Sequence, residues 1–158
     1  MARFRYSMQS ILDIKLKLET QAKQEFSTAH AVLDTEEARL GALYDRKADY
    51  EKQGRELRQG TLKIMDIKEN KTAVLCMDNY IVDQKLCVKR AEDNLEKARQ
   101  KLTEVMMERK THEKLKEKSF EQFLMDEKKQ ESKEVDELTS YTYGQRRKNE
   151  AKSSVAVG

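Results

Sequence analysis

Cys76 and Cys87, His30 and His112, and the adjacent carboxylates Glu36 and Glu37 are the residues whose types could carry thiol redox chemistry, metal ligation or general acid–base work. Their spacing argues against each. Eleven residues apart on a helix, the two cysteines share nearly one face but lie about 16 Å apart at 1.5 Å of rise per residue. A disulfide tolerates a Cα separation of roughly 7 Å at most. His30 and His112 have no second His, Cys or carboxylate in a metal-binding pattern, and neither a Gly-rich phosphate loop nor a Gly-x-Ser-x-Gly elbow occurs. Glu36 and Glu37 read as solvated helix residues, because a narrow helical seam offers no pocket in which a carboxyl group is set up for acid–base work. The sequence points to a protein that works by contact, with no catalytic residue, cofactor or metal.

The elements that position these residues follow from composition. Charged residues make up 39% of the 158, hydrophobic residues 37%, and there is no Pro and no Trp, a profile of long helices rather than of a compact core. The 32 basic and 29 acidic residues are interspersed. Only Arg146, Arg147 and Lys148 form a basic cluster, so no nucleic-acid-binding face is expected. The apolar opening RFRYSMQSILDIKLKL, residues 3–18, is broken by Ser7, Gln9, Ser10, Asp13, Lys15 and Lys17 and does not fit a secretory signal. No stretch has the apolar length of a membrane span. A soluble, intracellular protein is expected.

Apolar residues at alternating steps of three and four mark a heptad seam through Phe4, Met8, Ile11, Leu18, Ala22, Phe26, Ala29, Leu33, Leu40, Leu43, Tyr50 and Leu57. Lys15, Glu36, Lys47 and Gly54 are its polar or small members. Two consecutive steps of four, from Leu18 through Ala22 to Phe26, form a stutter that should unwind the supercoil locally. A second seam runs Ile67, Val74, Met77, Ile81, Val88, Ala91, Leu95, Ala98, Leu102 and Val105, with Asn70, Gln84, Arg109 and His112 on its line.

Between the seams, Gly54 and Gly60 each weaken a helix by about 1 kcal/mol relative to Ala, and Asp66 with Glu69 resembles a capping box opening the second helix. The chain is expected to reverse here. In an antiparallel hairpin, facing residue numbers add to a nearly constant value; Phe26 with Leu95, Leu33 with Val88, and Ala29 with Ala91 add to 120 or 121, which centres the reversal on Gly60. Glu36 then faces Gln84, a polar layer that fixes alignment at a cost in stability. The expected fold class is all-α: a long two-helix antiparallel coiled-coil hairpin over 3–143, with a first helix over about 3–57, a loop over about 58–65 and a second helix over about 66–141. Residues 144–158 are expected to form a disordered tail. On this register Phe4 pairs near residue 116, which leaves Phe120, Phe123, Leu124 and Met125 without an intramolecular partner and marks them as a binding surface.

Two stretches carry a family resemblance. FRYSMQSILDIKLKLE, from Phe4, resembles the start of the FliJ family of flagellar export proteins, which opens with an aromatic pair, a short apolar run and then Lys and Glu. ERKTHEKLKEKSFEQFLMDEKKQESKEVDEL, residues 108–138, resembles that family's second signature, in which Arg-Lys and Leu-Lys-Glu-Lys lead to Lys133, Glu134, Asp136 and Glu137. The resemblance implies a non-enzymatic, γ-subunit-like stalk seated in the hexameric export ATPase FliI, in contact with the membrane export-gate protein FlhA and assisting chaperone recycling. It implies a cytoplasmic protein held at the inner membrane through the export apparatus, with no direct membrane insertion.

By the same resemblance the gate-facing residues are Leu43, Tyr50, Met77 and Tyr80, towards the loop end. The ATPase-facing residues, at the end carrying both termini, are Phe4, Tyr6, Met8, Ile11, Leu12, Phe120, Phe123 and Leu124, with Arg3, Arg5, Arg109 and Lys110 as steering cations. The equivalent stalk of a virulence-type secretion system, and a free-standing coiled-coil oligomer, are the alternative readings.

Overall fold

With no proline and five glycines in 158 residues, little in the chain opposes helix propagation. The computed structural model describes residues 2–157. Among them it contains two helices, α1 (Gln9–Leu57) and α2 (Ile64–Ala156), and no strand. The chain divides into two units, one of Ile14–Arg109 and one that joins the residues up to Asp13 with Lys110 and all that follows.

The Ile14–Arg109 unit is an antiparallel hairpin. Along its part of α1 the covered positions include Lys15, Glu19, Ala22, Phe26, Ala29, Leu33, Glu36, Leu40, Leu43, Lys47, Tyr50, Gly54 and Leu57, an unbroken alternation of three and four, with Glu25 half-covered at its side. Along α2 they include Ile67, Asn70, Val74, Met77, Ile81, Gln84, Val88, Ala91, Leu95, Ala98, Leu102 and Val105, as the second seam predicts. Only Ala22, Met77, Ile81 and Ala91 of the unit's hydrophobic residues are buried and none completely, because two helices cover a line and cannot enclose a core.

The expected stutter is absent. Glu19 is 6% exposed and Leu18 40%, so the strict seven-residue repeat runs back from Phe26 through Glu19. A carboxylate holds this position because it is paired: the Arg109 guanidinium Nε meets Glu19 Oε2, Lys23 Nζ lies 3.3 Å from Oε1, and Lys15 Nζ bonds Glu108 Oε2 at 2.7 Å. Hydropathy alone selects Leu18; ion pairing selects Glu19.

Register is set by polar keys. Gln84 Nε2 donates to the Glu36 carbonyl at 3.0 Å and to its carboxylate. Asn70 Nδ2 donates to the Tyr50 carbonyl at 2.7 Å, and Lys47 Nζ reaches Asp78 at 2.7 Å. Gly54 does not break α1. It is buried within the helix, where an added Cβ would come within 2.5 Å of Asn70 Oδ1. The break is at Gly60, whose φ of 86° is left-handed and so favours glycine. The loop is shorter than expected, 58–63, and Asp66 sits in the first turn of α2 rather than at its cap, where a negative charge faces the positive end of the helix dipole.

In the other unit, residues 2–6 are not helical and Ser7–Met8 form a turn, so α1 opens six residues later than expected. Gln9 N donates to the Tyr6 carbonyl at 3.2 Å, giving one of the helix's first N–H groups an acceptor. The expected disordered tail is also corrected: α2 stays helical through Ala156. No proline interrupts it, and local bonds such as Thr142 Oγ1 to the Leu138 carbonyl at 2.8 Å and Gln145 Nε2 to Tyr141 Oη at 3.1 Å line its exposed turns.

Candidate functional site

Of the residues that could have carried chemistry, His30 and Glu36 are held by neighbouring side chains, and the cysteines and Glu37 are not gathered into a site. Cys76 is exposed and Cys87 half-buried, both as free thiols. His30 Nδ1 sits 3.2 Å from Asp34 on its own helix. Glu36 is held by Gln84 and by Arg39 at 3.0 Å, and Glu37 is exposed. Among the described residues no cluster of three His, Cys, Asp or Glu is placed to hold a metal ion. What the molecule offers is surface.

The richest surface lies in the unit formed by the N-terminal residues and α2 beyond Arg109. Extended backbone rises about 3.3 Å per residue against 1.5 Å in a helix, so the non-helical entry carries Phe4 past its expected partner near residue 116. Its ring meets Phe120 edge-on at 5.2 Å between centroids and Phe123 at 5.4 Å, and those two rings lie stacked at 6.4 Å. Phe120 and Phe123 therefore have an intramolecular partner that the helical register does not supply. The trio leaves the unit's apolar residues only partly covered: Met8, Ile11, Phe120, Leu124 and Met125 stay exposed. Phe4, Tyr6, Met8, Leu115 and Phe123 also line a groove of about 550 Å³ whose polar wall includes Lys118 and Asp126. The Tyr6 hydroxyl is covered and has no hydrogen-bond partner among the described residues.

Of the eight ATPase-facing candidates, Phe4, Phe120 and Phe123 thus form the aromatic trio, Tyr6 and Met8 border the groove, and Ile11 and Leu124 are exposed. Leu12 is different: at 4% exposed it is core. Arg109 is not a free steering cation either, being engaged with Glu19.

On the hairpin unit, the gate-facing candidates divide in the same way. Tyr80 is exposed, Leu43 and Tyr50 are half-buried in the seam, and Met77 is 6% exposed and faces inward. Sequence reasoning passed over Tyr44, which is exposed with Lys85 Nζ 5.9 Å above its ring. Its position one past the seam residue Leu43 was the available signal. Two cross-hairpin ion pairs shift their groups: the hydrogen bond from Lys101 holds the Glu25 carboxyl below its ordinary value, and the hydrogen bond to Asp78 raises Lys47 above its own.

No curated protein sequence matches the chain. Among solved structures, a YscO homolog, CT670 of Chlamydia trachomatis, matches with a TM-score of 0.70 and 22% identity, over 92% of this chain and 99% of that one. The likeness establishes the helical-hairpin fold. A family model described as flagellar FliJ protein matches residues 4–148, nearly the whole chain and both stretches that carry the resemblance, and the chain therefore belongs to the FliJ family, whose setting is type III protein export.

Proposed function

We propose that the chain is a non-enzymatic stalk and adaptor of a flagellar type III export apparatus. The apolar end, with the Phe4–Phe120–Phe123 trio and exposed Met8, Ile11 and Leu124, seats in the central hole of a hexameric FliI-like export ATPase. The hairpin surface around Tyr80, with Leu43 and Tyr50 beside it and Met77 behind it, faces a FlhA-like export gate. The protein assists chaperone recycling and export from the cytoplasm, associated peripherally with the inner membrane through its partners.

The observation that carries this reading is the apolar end. An ordered aromatic trio edged by half-exposed Ile, Leu and Met side chains is a surface that gains free energy on burial, at about 25 cal/mol per Å² covered. No helix among the described residues is long and apolar enough to cross a membrane. The likeness to CT670, a YscO homolog, favours a second reading in which the same stalk serves a virulence-type system. Both readings predict a ring partner; a free-standing oligomer does not.

The test is size-exclusion chromatography with light scattering of the full chain, alone and with the cognate export ATPase, together with the ring's ATP hydrolysis rate. Co-elution and a changed rate are expected. Phe120→Ser with Leu124→Ser should weaken binding at least tenfold, because two half-exposed apolar side chains together lose about 1.5 kcal/mol or more when a partner no longer buries them. Unchanged hydrolysis with no co-elution would sink the proposal.

A further inference from the structure

The hairpin's loop carries the most exposed run of apolar residues in its unit. Leu62, Ile64 and Met65 are 60, 69 and 67% exposed. They belong to neither seam, and Gly60 turns the chain just before them with nothing within 4 Å of where its Cβ would be. The charges around them are of one sign. From Leu57 to Met65, LRQGTLKIM, there is Arg58 and Lys63 and no acidic residue. Widened to residues 52–71, the segment holds six cations and three acids, an excess equal to the net +3 of the whole chain.

These cations are also uncommitted. Along the hairpin's described residues, Lys15, Lys23, Arg39, Lys47, Lys89, Arg99 and Lys101 each sit in an ion pair, while Lys17, Arg46, Arg90 and Lys97 do not. Among the described residues, Arg58 and Lys63 form none. Apolar side chains interleaved with unpaired cations, on a tight turn that projects both, match the two layers of an anionic bilayer surface: acyl boundary for Leu, Ile and Met, headgroup phosphates for Arg and Lys.

We propose that this loop docks on an anionic lipid surface, with Leu62, Ile64 and Met65 entering the interface and Arg58 and Lys63 meeting headgroup phosphates. The contact is shallow and reversible. It is no membrane span, and it adds a direct lipid contact to an association otherwise made through protein partners. The proposal requires neither the ring nor the gate, so it stands or falls apart from the stalk assignment.

The experiment is flotation of the purified full chain with vesicles of phosphatidylcholine containing about 30 mol% phosphatidylglycerol, and with phosphatidylcholine alone, at low and high salt. Binding to the anionic vesicles alone, weakened by salt, is expected. Arg58→Gln with Lys63→Gln should weaken it about twenty-five-fold, from roughly fivefold per cation at the surface. Leu62→Ser with Ile64→Ser and Met65→Ser should weaken it at least as much, and Arg146→Gln with Arg147→Gln and Lys148→Gln should leave it unchanged. Because the chain has no tryptophan, Leu62→Trp is a single reporter at the loop, and its emission should shift to the blue with anionic vesicles. No flotation, equal flotation of the loop variants, loss in the tail variant, or an unshifted Trp emission each overturns the proposal. So does a loop that binds the isolated gate protein's soluble domain while ignoring vesicles, which would assign it to a protein partner.

Discussion

Replacing Arg109 by leucine should destabilise the hairpin more than replacing its partner Glu19 by leucine, and replacing both should cost little or nothing. The asymmetry comes from position. The Glu19 side chain is 8% exposed and the Arg109 side chain 17%. Without Arg109, the carboxylate stays on the seam with Lys23 as company, 3.3 Å away and itself 60% exposed. Breaking a buried pair from one side costs about 3–5 kcal/mol; the remaining Lys23 contact brings the expected loss for Arg109→Leu to about 2–3 kcal/mol. Without Glu19, the long arginine stem swings its guanidinium into water while the stem still covers the seam, and the expected cost is about 1 kcal/mol.

The double variant puts leucine on two covered seam positions one heptad apart in register, and the burial of two apolar side chains offsets the lost pair, so its stability should fall within about 1 kcal/mol of the parent or above it. Urea unfolding followed by circular dichroism at 222 nm reads all four corners of the cycle. The coupling energy should be about 3–4 kcal/mol. If the two single variants are each neutral and the double merely adds them, Glu19 is not a seam residue held by Arg109, and the argument for an unbroken heptad fails with it.

The other perturbations are simpler. Gly54→Ala should destabilise despite a helix-propensity gain of about 1 kcal/mol, because the new methyl displaces Asn70 from the Tyr50 carbonyl and leaves covered polar groups unpaired, at about 1–3 kcal/mol. Adding Asn70→Ala should recover stability beyond the single variant, and the same urea titration checks both. The Glu25–Lys101 pair predicts a pH effect of known sign. The Glu25 carboxyl is depressed by the Lys101 hydrogen bond, so its contribution is complete above the ordinary carboxylate value and is lost as pH falls through the depressed one. Lys101→Met should flatten that acid limb in a stability–pH profile. Lys47, raised by its bond to Asp78, acts oppositely: its contribution holds below the ordinary lysine value and disappears as pH rises through the raised one, so Asp78→Asn should flatten the alkaline limb.

The hairpin and most of its seam were legible because they rest on periodicity. Ile67, Val74, Ile81, Val88, Leu95 and Leu102 recur at sevens, and the facing positions converge on Gly60, where the left-handed turn is found. The Glu36–Gln84 layer was legible for the same reason. What periodicity of apolar residues misses is a seam position filled by charge. Leu18 outscores Glu19 on hydropathy, and nothing local to residue 19 reveals that Arg109, ninety residues on, will neutralise it. Gly54 was misjudged because glycine's helix penalty is visible in the sequence while the Asn70 side chain that occupies its space is not. At the apolar end, the residue types were visible, but the trio of Phe4 with Phe120 and Phe123 depends on a non-helical entry that the register argument assumed away. The helical tail shows the reverse error, a polar composition read as disorder where no residue stops the helix.

The polar keys of the hairpin have a mechanical meaning. Sliding α2 by one heptad along α1 would set Glu36 against Met77 or Ala91 in place of Gln84, and would part Asn70 from the Tyr50 carbonyl and Lys47 from Asp78 together. A seam of leucines alone would slip in steps of seven with little penalty. Notched by three unlike contacts at three heights, the two strands of this hairpin have no low-cost neighbouring register, so a push or twist delivered to one helix is handed to the other rather than dissipated as slip.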